Sequence, residues 1–77
     1  MQQIEIRLRS VQDVQEFVAL ATAQPFSVTV GNDDHQVSGE CFMEMFCLDF
    51  TRPMFARANC TEVVFEPFRT ALAKFAV

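Results

Sequence analysis

Between Gly39 and Phe50 the chain reads Gly39-Glu40-Cys41-Phe42-Met43-Glu44-Met45-Phe46-Cys47-Leu48-Asp49-Phe50, eight apolar residues in twelve. At about 100° per residue, Cys41, Met45 and Leu48 share one side of a helix. Phe42, Phe46 and Phe50 point up to half a turn away, and Met43 and Cys47 lie further round. A helix apolar on every side is either deeply buried or offers an apolar patch to another body. A chain of 77 residues has little depth in which to bury it, so the segment reads as a docking surface.

That length makes one domain, residues 1–77, in a size class where roughly 60 to 65% of the unfolded surface is buried and each core residue counts heavily. Nine Phe and no Trp or Tyr make the aromatic content space-filling, without phenol or indole for polar recognition. Ten acidic and six basic side chains give a net charge of −4. The cations Arg7, Arg9, Arg52, Arg57, Arg69 and Lys74 are scattered, a balance that disfavours nucleic acid and anionic membranes. No charged start followed by an apolar run opens the chain, and no membrane span is present, so a cytoplasmic protein is expected. Cys41, Cys47 and Cys60 match no zinc or C-x-x-C spacing and read as free thiols packed as small hydrophobes.

Gln2 to Arg9 alternate, with Ile4, Ile6 and Leu8 on one face, which predicts a half-buried strand. Ser10 and Asp13 form an S-x-x-D start for a helix from Val11 to Ala23, built on Val11, Val14, Phe17, Val18 and Ala21 and stopped before Pro25. Phe26, Val28 and Val30 alternate as a strand, Gly31-Asn32-Asp33-Asp34 supplies a turn, and His35 to Ser38 returns as a hairpin. A second helix is predicted over Glu40 to Leu48. The run from Met54 to Cys60 places the small residues Ala56, Ala58 and Cys60 on one face, suited to a central strand under a bulky helix. Phe65, Phe68, Leu72 and Phe75 fall at i, i+3, i+7 and i+10. Their helix is expected to begin near Val64 to Glu66, so that Pro67 occupies its first turn. The expected fold class is α+β, a four-stranded antiparallel sheet covered on one face by three helices, in the order strand-helix-strand-strand-helix-strand-helix.

That order, together with Val37-Ser38-Gly39-Glu40-Cys41-Phe42-Met43-Glu44-Met45 through Leu48-Asp49-Phe50-Thr51 and Glu16-Phe17-Val18, resembles the histidine-containing phosphocarrier protein (HPr) family of the bacterial sugar phosphotransferase system. The matching segment is the family's A-S-A-K-S-x-x-x-[LV]…L-G-[LI] stretch. The resemblance covers nearly the whole chain and implies an HPr-like open-faced β-sandwich. Family activity depends on a G-[LI]-H-[AT]-R-P motif, in which a His at the start of the first helix takes a phosphoryl group steadied by amides and an Arg. Here the junction reads Leu8-Arg9-Ser10-Val11-Gln12-Asp13. Ser10 stands at the His position and Gln12 at the Arg position. A Ser phosphate is too stable an ester for a readily reversed relay, so the resemblance implies a member without phosphocarrier chemistry. The family's regulatory Ser corresponds to Cys41, with Ser38 close by. The implied partner surface, on the first two helices, involves Phe42, Met43, Met45, Phe46 and Leu48.

Other chemistry reads weakly. His35 sits in a turn with no helix dipole or paired base beside it. Asp33, Asp34, Glu40 and Glu44 lack the five or six oxygen ligands of a calcium loop, and no metal or cofactor is expected. Ser10 fits helix capping with Asp13 better than nucleophilic catalysis. Met43, Met45 and Met54 suit either a core or a surface that repacks against a partner. The expectation is a non-enzymatic module that binds a protein partner, or a second copy, through its second helix. Two alternatives stay open: a phosphocarrier or small enzyme using His35, Ser10 or Cys41 as acceptor, and another split β-α-β regulatory domain with a ligand in a sheet-side crevice.

Overall fold

The alternation in the first residues becomes strand β1, Gln2–Ile6, with Gln3 and Glu5 exposed and Ile6 fully buried. The computed structural model describes residues 2–32, 35–46 and 52–76. Its further elements are α1 (Val11–Thr22), β2 (Val28–Gly31), β3 (Gln36–Ser38), α2 (Phe42–Met45), β4 (Met54–Ala58) and α3 (Glu62–Ala71), followed by a 3-10 turn at Leu72–Phe75. The fold is α+β: four strands form one antiparallel sheet in the order β1-β4-β2-β3, accompanied by three helices.

β4 is central, as its small residues suggest. Ala56 pairs with Ile4 on one side and Val30 on the other, and Met54, Ala56 and Ala58 are all buried. The opposite face of the sheet carries Gln3, Glu5, Thr29 and Gln36, all exposed. On that open face the Arg57 guanidinium lies 5.5 Å from the Phe55 ring centre.

The turn between β2 and β3 needs its glycine. Gly31 has φ 153°, and a Cβ there would lie 2.1 Å from the His35 carbonyl oxygen. Across the turn the Asn32 amide donates to that oxygen at 3.0 Å, and the His35 amide donates to Asn32 Oδ1 at 2.9 Å. Asp33 and Asp34 lie outside the described residues. Gly39 serves close packing instead: a Cβ there would meet Val28, Phe17 and Val30 side-chain carbons at 3.0 to 3.2 Å.

The second helix is shorter than expected and starts later. It holds four residues, Phe42–Met45, where Glu40 to Leu48 was anticipated. The reason is local: Ser38 Oγ accepts the Glu40 amide at 3.2 Å and the Ser38 carbonyl accepts the Cys41 amide at 3.3 Å, so the chain makes a turn there. Leu48 lies outside the described residues.

The third helix corrects the expected register of Pro67. It begins at Glu62 rather than near Val64 to Glu66, because Thr61 caps it by accepting the Val64 amide at 3.4 Å. Pro67 therefore sits inside the helix, where it has no N–H for the Val63 carbonyl one turn back. The Phe spacing holds regardless: Phe65, Phe68, Leu72 and Phe75 are all buried.

Phe rings join the two long helices. Phe17 of α1 lies 6.2 Å from Phe68 of α3, and Phe26 lies 5.7 Å from Phe68 and 6.3 Å from Phe65. Outside this core, Lys74 pairs with Glu16 to tie the C-terminal turn to α1. The chain end also shields β1: the Arg7 amide donates to the Phe75 carbonyl at 2.8 Å, and Ala76 bridges Ile6. No polar or charged residue is buried among the described residues.

Candidate functional site

The start of α1 is built by its own sequence. Leu8 is buried and anchors the end of the β1 segment, and Ser10 takes the extended backbone of a cap, φ −151° and ψ 167°. Ser10 Oγ accepts the Asp13 amide at 3.2 Å, and Asp13 Oδ2 accepts the Arg9 amide at 3.0 Å. This resembles a capping box whose acid reaches one residue further back than usual. The Asp13 hydrogen bond runs to a backbone amide, which makes it a structural partner of Ser10 and gives no geometry for a general base.

Beside this cap lies a cleft of about 240 Å³ lined by Arg9, Ser10, Val11, Val14 and Phe46. Its walls come from two elements far apart in sequence, the first turn of α1 and the residue that ends α2. Phe46 is held there by an edge-to-face contact with Phe42, ring centres 4.6 Å apart. Val11 is 55% exposed, Phe46 44% and Met43 77%, so the rim of the cleft and its neighbourhood are apolar and open to solvent. Val11 had been expected among the inward residues of α1. It is the first residue of α1 and lines the cleft instead.

The anticipated partner surface divides. Met43 and Phe46 are exposed, and Phe42 is half-buried and packs against the core. Met45 does not belong to the surface: it is fully buried among the core residues, because the short α2 turns this one side chain toward α1 and β3. Gln12 is exposed beside Ser10.

The alternative acceptors are dispersed. His35 is exposed in the β2–β3 turn and does not line the cleft. Cys41 caps α2 with no hydrogen bond from its side chain and is half-buried, as is Cys60, and both are free thiols. Ser38 is half-buried with its oxygen holding the Glu40 amide. Among the described residues no three His, Cys, Asp or Glu side chains gather as a metal site, and no helix is long and apolar enough to cross a membrane.

Sequence patterning alone gives no link between Ser10 and Phe46, positions that only the resemblance placed together, around the acceptor position on the first two helices. It also missed a second apolar patch, Val63 at 83% and Val64 at 43% exposure, on the first turn of α3. Early placement of the Thr61 cap puts these two valines on a helix and turned outward. No known family's sequence model matches the chain, and no curated protein matches it.

Proposed function

We propose that the chain is an HPr-like binding module that has lost the phosphoryl-carrier residue and docks a protein partner through the faces of α1 and α2. The observation that carries this reading is the cleft itself. At the position where the resemblance calls for a phosphorylated His, the chain has Ser10 engaged as the helix cap beside an apolar wall of Val11 and Phe46. Support for the HPr-like part comes from the element order and the four-stranded antiparallel sheet.

A site for a transferred phosphoryl group needs a nucleophile and donors that grow stronger as charge develops. Ser10 has its oxygen engaged as a helix cap and the neighbouring Gln12 is neutral. A docking site needs desolvatable apolar area with a polar rim. Val11, Met43 and Phe46 supply the first, and Arg9 and Ser10 the second. Fully burying such side chains is worth about 1.5–3 kcal/mol each. After the cost of association, that suits a transient complex better than a permanent one.

Incubation with the phosphotransferase enzyme and labelled phosphoenolpyruvate tests the reading. The protein stays unlabelled if the account is right. Stoichiometric acid-labile phosphate would overturn it in favour of a carrier with an unusual acceptor.

A further inference from the structure

Among the described residues two apolar patches are open to solvent, one around Val11 and Phe46 and one around Val63 and Val64. We propose that they are complementary halves of a single contact, in which Val63 of one copy of this chain enters the Ser10–Phe46 cleft of a second copy, giving head-to-tail self-association. This rests on reading that cleft as a docking site, and it names the occupant.

Strand register places the two halves at opposite ends of the molecule. β1 runs from Gln2 to Ile6, opposite Ala58 and Met54 respectively. The first helix starts beyond the Ile6 end of that pair, and α3 starts beyond the Ala58 end. Val63 therefore cannot enter the cleft of its own chain. A contact between different patches of identical subunits is heterologous, and it continues from copy to copy unless a ring closes.

The chemistry of the halves matches. The cleft is apolar at Val11, Val14 and Phe46, carries Arg9 on its lining, and adjoins the N-terminus of α1, whose partial positive charge the Asp13 carboxylate partly offsets. The other patch carries two carboxylates, of which the Glu66 one is already paired, 3.5 Å from the Arg69 guanidinium. Val63 lies between Glu62, its neighbour, and Glu66, which is one turn along the same helix. These three residues share a groove on the outer face of α3 with Pro67 and Thr70. Inserting Val63 brings valine against Val11 and Phe46 and brings the Glu62 carboxylate toward Arg9. An isopropyl group is well within the 240 Å³ of the cleft. The net charge of −4 opposes association at long range, but beyond about 8 Å physiological salt screens that repulsion. A contact this small is transient, with a dissociation constant on the order of 100 µM or weaker.

Sedimentation velocity over a concentration series rising to roughly 1 mM tests this. The wild-type average mass climbs with concentration and passes that of a dimer. Val63→Asp and Val11→Asp change exposed positions, so both keep the wild-type circular dichroism and thermal transition, and each stays monomeric. Their equimolar mixture forms a dimer and nothing larger, since one variant keeps an intact cleft and the other an intact Val63. A wild type that remains monomeric throughout overturns the proposal. So does a dimer that survives Val63→Asp, which would place the contact on α2 faces instead. Either result leaves the phosphate-labelling test of the docking module undisturbed, so the two ideas fail separately.

Discussion

Ser10 and Asp13 hold each other at the start of α1, the Asp13 amide donating to Ser10 Oγ at 3.2 Å while the Asp13 carboxylate takes the Arg9 amide at 3.0 Å. The residue at the position of the implied phosphoacceptor thus has a structural task that accounts for its side chain. Ser10→Ala should cost about 1 kcal/mol of stability, and Ser10→Asp, another good cap, should cost much less. Urea denaturation of the two variants checks this. Equal losses would show that the hydroxyl is held for something other than capping.

Two methionines of α2 should respond in opposite ways. Met45 is fully buried, and Met45→Ala removes a side chain from the core at a cost of about 2–5 kcal/mol. Met43 is 77% exposed, and Met43→Ala should stay within about 0.5 kcal/mol of wild type. Denaturation midpoints separate the two readily, because a small domain has about 5–15 kcal/mol of stability in all.

The glycines differ in kind. At Gly31 an added Cβ meets a backbone oxygen at a positive φ, and both the clash and the strain must be absorbed by the hairpin. At Gly39 the added carbon meets three side-chain carbons, which can shift by a few tenths of an ångström. Gly31→Ala should therefore lower the thermal midpoint by clearly more than Gly39→Ala, whose cost is about 1–3 kcal/mol as a core overpacking. The reverse order would contradict the described turn.

Pro67 sits inside α3 at a position where an amide would serve the Val63 carbonyl. Pro67→Ala restores that amide and should stabilise the protein by about 2 kcal/mol, the helix-interior penalty of proline less the entropy it removes from the unfolded chain. The midpoint should then rise by roughly 8 to 16 °C for a domain of this size.

Much of the fold was legible because short-range patterns carry it. Alternation over Ile4, Ile6 and Leu8, the Ser10 cap, the Phe65–Phe75 spacing and the small residues of β4 each report a local geometry that the sheet and helices realise. The second helix was not legible. Its residues are apolar at nearly every position, so periodicity could not tell Met45 from Met43, and Ser38 delayed the start of the helix through bonds that hydropathy does not register. Pro67 misled for a related reason: the rule that proline favours a first turn met a stronger cap at Thr61 and a Phe spacing already committed to the core. The cleft depends on Phe46 and Ser10 lining one cavity, a tertiary arrangement with no local sequence signal. The two exposed valines of α3 became visible only once the helix start was fixed.

The most direct test of the central claim is the intact mass of the protein purified from its native cell at neutral pH, with fragments read at Ser10, His35 and Cys41. The account predicts the unmodified chain at all three positions. A stoichiometric phosphoryl or thiol adduct at any one of them would contradict it, and would favour a carrier over a docking module.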